Sequence, residues 1–334
     1  MYLTLNNLIP YLLDNQYLSY QAVVAGDVEA HQMHGRNTSF YLKNPHDKDL
    51  FIKQVESSPP TNAELLRKEA YTYQILKGLE VFQSFSPYLP HLYHYDQSQN
   101  LMIIEGMAGA KNLYEFYLQE KTFSLGVASL QAQVLAAYQV TVTKELYQHE
   151  WMQVFPVQLP SIFNIIQPDF AGAYNQASKQ LIELIQNEPE LVQLIMQLRQ
   201  EWKVDTIIHG DVKWNNFLIK QNEDSDQLWL IDWEMSDLGD PLWDVAGVIQ
   251  SFLSGWVLNL DQHQTLVAEP MPDMDFMQLE QMQTSIYMFW ESYVEQRKFT
   301  DEEKAPTLEK ALRYTALRLI QTNWENGIFT GAEC

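Results

Sequence analysis

Residues 205–247 constrain this chain more than any other stretch. They read DTIIHGDVKWNNFLIKQNEDSDQLWLIDWEMSDLGDPLWDVAG. Two apolar runs, 217–219 and 228–231, flank a polar loop at 220–227, the pattern of a β-hairpin with a long connection. Asn216 begins the first run and Asp232 follows the second, so antiparallel pairing sets them side by side at the open end. Asp211 lies on the entering loop. Taken singly, Asp211 and Asn216 read as loop caps and Asp232 as a strand-end turn residue. Taken together, two carboxylates and a carboxamide converge on one small volume. Carboxylates so close repel unless a cation or a proton neutralises them. An all-oxygen set suits Mg2+, which takes one or two carboxylates and completes its shell with water and substrate phosphates.

Around that island the chain divides into an earlier β-rich part and a later helical one. The spacing of Leu5, Leu8, Ile9, Leu12 and Leu13 predicts a short amphipathic helix within residues 1–18. Segments 21–25, 38–43 and 50–55 predict three strands. A helix follows over about 62–77, with Thr61 and Glu64 as a capping box and Gly78 as its stop. Two short strands near 92–95 and 101–105 complete a five-strand, one-helix unit. From about residue 112 the chain reads as mostly helical, apart from the island at 207–231. The expected fold class is α+β and two-lobed: a small β-rich N-terminal lobe, 1–106, and a larger, mainly helical C-terminal lobe, 107–334. Ligands bind preferentially in clefts between such lobes.

Composition narrows the partners. The net charge of −22 argues against nucleic acid and against an anionic membrane surface. It is compatible with a cationic substrate, although general solubility explains it more simply. No apolar run approaches the roughly 18 residues that span a bilayer. The first residues carry neither a basic segment nor a small-residue cleavage site, and read as part of the mature fold. Cys334 is the single cysteine, so there is no disulfide framework or thiolate metal site, as expected in a reducing cytoplasm.

In the third strand, alternation puts Lys53 on one face with Phe51 and Val55, where an ammonium needs an anionic partner. On the following helix, Glu69 falls in register with Leu65, Tyr73 and Leu76, so it too needs one. Each answers the other. The alternative is an exposed edge lysine, with Glu69 bridged to Arg67 or Lys68.

Three motifs now stand together: His209-Gly210-Asp211-x-x-x-x-Asn216, Ile231-Asp232-Trp233-Glu234, and Gly239-Asp240-Pro241-x-x-Asp244. Their combination resembles the aminoglycoside phosphotransferase and choline kinase family, which shares the protein-kinase fold. The resemblance implies ATP-dependent transfer of the γ-phosphate to a hydroxyl of a small molecule. It implies Asp211 as the catalytic base and Asn216 and Asp232 as holders of Mg2+, with Asn215 ranked behind Asn216. Lys53, paired with Glu69, would hold the α- and β-phosphates. His209 would pack within its loop, Asp240 would cap a helix and Asp244 would brace the loop from below. Gly35-Arg36-Asn37-Thr38-Ser39-Phe40 resembles the family's phosphate-covering turn, which places Arg36, Asn37 and Ser39 beside phosphates; a plain hairpin turn fits the same residues nearly as well. Residues 101–107 resemble the interlobe hinge, with Glu105 and Met107 at the purine edge. ATP is the default nucleotide and GTP the alternative.

Lys213 departs from the antibiotic kinases and resembles protein kinases. It suits charge stabilisation on a transferring phosphoryl group, or is a surface charge beside Trp214. It keeps open a protein or peptide kinase, and the loose glycine loop keeps open a nucleotide-binding pseudokinase scaffold. Against the first stand Gly210 in place of an arginine, Trp233-Glu234 after Asp232, and the short step from Asp232 to Asp240. For the acceptor, Glu269, Asp273 and Asp275 form a loose acidic group. Glu291 and Glu295 share a helix with Tyr287, Phe289, Trp290 and Tyr293. Acids beside aromatics suit a cation, while an ordinary amphipathic helix gives the same stripe.

Overall fold

The computed structural model describes residues 2–33, 37–56, 59–167, 170, 176–223, 225–265 and 279–326. The chain forms two compact units. One comprises Met1–Leu113, His149–Val154 and Asn216–Ser236; the other comprises Tyr114–Gln148, Phe155–Asn215 and Asp237–Cys334.

The first unit opens with helix α1, Leu5–Asp14, followed by α2, Tyr20–Ala25. The second of these overturns the strand expected at 21–25. The Ser19 hydroxyl accepts the Ala22 N–H at 3.1 Å, and Gly26 ends the helix at a left-handed φ of 85°. Those are a helix N-cap and a glycine stop. The first strand, β1, is instead Glu29–Met33, nearly all of it exposed. It is followed by β2, Thr38–Lys43; β3, Leu50–Gln54; helix α3, Pro60–Gly78; and strands β4, Leu92–Asp96, and β5, Leu101–Glu105. The expected five-stranded unit is present as an antiparallel sheet in the order β1-β2-β3-β5-β4.

One face of this sheet is covered by the N-terminal helices. Leu8, Tyr11, Leu12, Leu18 and Ala22 pack on Phe40, Leu42, Leu50, Ile52, Leu101 and Ile103. Each large apolar side chain so buried contributes roughly 1.5–3 kcal/mol. Alternation along β3 commits Leu50 and Ile52 to that face and turns Lys53 to the other, toward α3. Helix α3 starts at Pro60, preset for a first helical position. The Thr61–Glu64 box is not its cap: the N-cap is Pro59, with no side-chain hydrogen bond. The helix ends at Gly78, where a Cβ would lie 2.9 Å from the Trp151 ring.

Strand β6, Lys111–Asn112, belongs to a second, three-stranded sheet of the same unit. The remaining unit is mainly helical: α4, Leu113–Glu120; α5, Leu125–Tyr138; α6, Lys144–Tyr147; α7, Gln176–Gln186; and α8, Pro189–Gln200. Strand β7, Thr206–Ile208, lies in this unit, while the predicted hairpin that follows, β8, Phe217–Lys220, and β9, Gln227–Leu230, belongs with β6 to the first unit. Phe217 pairs with Leu230 and Lys220 with Gln227, while Lys111 of β6 pairs with Ile219. Strand β10, Asp237–Gly239, pairs antiparallel with β7. Helices α9, Leu242–Thr265; α10, Leu279–Arg297; and α11, Asp301–Asn326, complete the chain. The α+β class is as expected. No helix among the described residues is long and apolar enough to cross a membrane.

Candidate active site

In the first unit, Lys53 faces Ser39 across the β2–β3 pairing. Its side chain is only 8% exposed, and its ammonium meets three carboxylates: Glu69 at 2.7 Å, Asp232 at 2.7 Å and Glu234 at 3.1 Å. An ammonium has three N–H donors, so this set accounts for all of them. Glu69 therefore takes Lys53, not Arg67 or Lys68. Burial by itself would lower the Lys53 pKa, but Glu69, Asp232 and Glu234 outweigh it and hold the group charged, well above its ordinary value. Burial drives Glu69 the other way: despite Lys53, its carboxyl is pushed up to about 7, with Asp232 and Glu234 adding to the rise.

Asp232 is the most open of the three acids, with its side chain 35% exposed. Its backbone is left-handed, φ 66° and ψ 57°, a conformation that aspartate tolerates better than most residues. Neighbours fix it from both sides. The Ile231 N–H donates to the Asn216 carbonyl at 2.9 Å, which closes the hairpin end. Trp233 is fully buried, donates its indole N–H to the Leu230 carbonyl at 3.0 Å and meets Phe85 edge to face at 5.5 Å. The Ser236 hydroxyl lies 2.8 Å from that of Thr72 on α3. Asn216 is buried at the end of the turn Trp214–Asn216, whereas Asn215 is exposed. The hairpin thus brings Asn216 and Asp232 to one end, as antiparallel pairing predicts.

Three carboxylates and one ammonium leave two negative charges in excess when all are ionised. A raised Glu69 pKa relieves part of that. Ligand oxygens of Glu69, Asp232 and Glu234 lie within 4.8 Å of one another, so the donor set fits a hard divalent cation. Glu234 was not assigned a role from sequence. Its signal is the spacing Asp232-Trp233-Glu234, two acids either side of an apolar anchor.

The other nucleotide candidates are distributed unevenly. Ser39 is buried beside Lys53, and Asn37 immediately precedes β2; Arg36 lies outside the described residues. The Glu105 carboxylate accepts the His91 N–H at 3.1 Å, and its own N–H donates to the His91 carbonyl at 2.8 Å. The Gly106 N–H donates to the Asp49 carbonyl at 2.8 Å, and a Cβ there would sit 2.8 Å from Asp49 Cβ. Met107 is buried and its carbonyl accepts the Ala110 N–H at 3.1 Å. The Glu105 side chain therefore braces the start of β4.

In the second unit, β7 feeds the loop that carries Asp211 and Lys213. Gly210 has φ 80°, which glycine adopts without strain. The Asp244 carboxylate, fully buried in the first turn of α9, accepts the N–H groups of His209 at 2.7 Å and Gly210 at 3.0 Å, and the Tyr138 hydroxyl at 2.7 Å. Burial raises the Asp244 pKa, against the pull of His209, Tyr138 and Arg318. His209 is buried, and its Nδ1 accepts the Asp211 N–H at 3.3 Å. Asp240 accepts the Leu242 N–H at 3.1 Å as a helix cap and pairs with Lys310 at 2.6 Å. Lys213 reaches back to Asp211 at 2.7 Å, both side chains being substantially exposed.

The aromatic stripe is packing. Phe289, Trp290 and Tyr293 are buried, and the Tyr293 hydroxyl donates to Gln139 at 2.6 Å; Tyr287 alone of the four is exposed. Glu269, Asp273 and Asp275 lie outside the described residues.

The sequence profile of the phosphotransferase enzyme family matches residues 28–278, and the chain belongs to that family. No curated protein sequence matches it. Among solved structures it is similar to macrolide 2'-phosphotransferase MphH from Brachybacterium faecium, at 11% identity over 96% of this chain and 93% of that one, with TM-score 0.53. The GDP and kanamycin complex of APH(2")-IIia gives 11% identity over 98% and 96%, with TM-score 0.51. The ADP-bound aminoglycoside phosphotransferase APH(2'')-Ib gives 14% identity over 95% and 93%, with TM-score 0.50. The fold is protein-kinase-like and the chain is a phosphotransferase of the kinase type.

Proposed function

We propose that this phosphotransferase moves the γ-phosphate of ATP to a hydroxyl of a small molecule, with Asp211 as the base. The observation that carries the reading is the Lys53–Glu69–Asp232–Glu234 cluster, a buried ammonium among three carboxylates. A structural ion pair needs one acid. The surplus of acids fits a site built to exchange partners when polyphosphate and a divalent cation arrive. Lys53 then turns to the α- and β-phosphates, with Asn37, Ser39 and Arg36 alongside and the backbone at Glu105–Met107 against the purine. Asn216 and Asp232 would hold Mg2+, with Glu234 near enough to assist. When bound, that cation neutralises charge on the phosphates and orients them. Asp211 orients the acceptor hydroxyl and takes its proton, and Lys213 steadies the Asp211 carboxylate before substrate binds. In the same reading residues 1–106 serve the nucleotide and 107–334 the acceptor. Nucleotide-bound relatives of the same fold support a nucleotide, one of them carrying GDP, so GTP is the second candidate. The acidic net charge favours a cationic acceptor over an anionic one. A cytoplasmic location, with neither nucleic acid nor membrane as partner, completes the proposal.

Titration of the full chain with ATP, with and without Mg2+, tests the nucleotide half. A ligand at about 100 times its Kd adds about 2.7 kcal/mol, so the melting temperature is expected to rise by several degrees with Mg2+ and less without it. An unchanged melting temperature across the millimolar range, for both ATP and GTP, would remove the basis for this reading.

A further inference from the structure

We propose that Arg318, on α11, is a positioning residue that fixes the direction of the Asp211 carboxylate; this rests on the reading of Asp211 as the base. Arg318 is only 6% exposed. Its guanidinium donates to the Gly210 carbonyl at 3.3 Å and the Val212 carbonyl at 3.0 Å, the carbonyls of the residues on either side of Asp211. Its Nε donates to Gln250 at 3.0 Å, and Gln250 in turn donates to Thr322 at 2.6 Å. The ring of Trp243 lies 5.0 Å from the guanidinium carbon, and its indole N–H donates to the same Gly210 carbonyl at 3.2 Å.

These contacts complete a clamp. Asp244 takes the N–H groups of His209 and Gly210, the His209 ring takes that of Asp211, and Arg318 takes the carbonyls of Gly210 and Val212. The peptide planes from 208 to 211, and the plane 212–213, cannot rotate without breaking one of these hydrogen bonds. The direction in which Asp211 leaves the backbone is thereby set. The arrangement is built for close approach. A Cβ at Gly247 would lie 2.5 Å from the Val212 carbonyl and 3.1 Å from the Arg318 guanidinium carbon. Only arginine supplies several N–H donors in one rigid plane; lysine offers a single point of charge.

The test compares wild type, Arg318→Lys, Arg318→Met and Gln250→Ala as full chains, by hydrogen exchange of the peptide spanning 207–216 and by steady-state phosphotransfer. In Arg318→Met, exchange of the loop amides is expected to rise about tenfold or more while exchange across β2, β3 and β5 stays unchanged, and kcat to fall about 10–100-fold with the nucleotide KM nearly constant. Arg318→Lys is expected to fall between it and wild type. Gln250→Ala, which removes the Nε partner of Arg318 and leaves the guanidinium in place, should loosen the loop in the same direction by a smaller factor and covers the case in which Arg318→Met fails to fold. Loop exchange equal to wild type in the folded variants, or loosening spread evenly over both units, overturns the proposal. The exchange readout needs no turnover. A loop that loosens selectively in variants of a chain with no transfer activity leaves the positioning role standing and removes the proposed function instead.

Discussion

Asp211→Asn is expected to lower phosphotransfer by about 10²–10⁴-fold, the usual contribution of a general base, while the folded protein and its nucleotide affinity stay near wild type. The structural side of this expectation comes from exposure. The Asp211 side chain pairs with Lys213 at 2.7 Å, between side chains 32% and 49% exposed. Such a pair contributes about 0–1 kcal/mol. The loop's backbone is held by Asp244, His209, Arg318 and Trp243. Asparagine has the same shape and cannot take a proton. Rate constants, denaturant midpoints and nucleotide titrations on one preparation check all three parts. Turnover within tenfold of wild type would move the base elsewhere.

Lys53→Met carries the second large effect, and it acts on both stability and activity. The substitution leaves Glu69, 2% exposed, facing Asp232 and Glu234 with no cation between them. Removing one partner of a buried pair typically costs about 3–5 kcal/mol. Adding Glu69→Met should recover much of that loss, because the remaining two acids are more open and the buried charge is gone. Activity should not return, since the ammonium proposed to hold the α- and β-phosphates is gone; a fall of about 10²–10³-fold is expected in both the single and the double variant. Denaturation midpoints with kinetics across the cycle separate the two roles. Activity restored together with stability in the double variant would make Lys53 a structural residue.

The hairpin was legible because its apolar runs are separated by a strongly polar loop, and pairing then fixed where Asn216 and Asp232 go. The Lys53–Glu69 pair was legible because each charge falls on an apolar face of its own element. Strand β1 was not. Its side chains are nearly all exposed, so no alternation marks it. The neighbouring segment 21–25 drew the strand assignment instead, although Ser19 and Gly26 bracket it as helix signals. The Thr61–Glu64 box failed because Pro60 starts the helix before it. Glu234 was in view but has a partner that only the fold supplies. Arg318 has no local signal at all: its meaning lies in two carbonyls of a loop remote in sequence.

The central claim, transfer of phosphate to a small-molecule hydroxyl, is tested most directly by following the label from γ-labelled ATP with Mg2+ into pools of amino alcohols, sugars, aminoglycosides, nucleosides and peptides. The account predicts label on a low-mass acceptor, with none above background for Asp211→Asn. Label confined to peptides would contradict it.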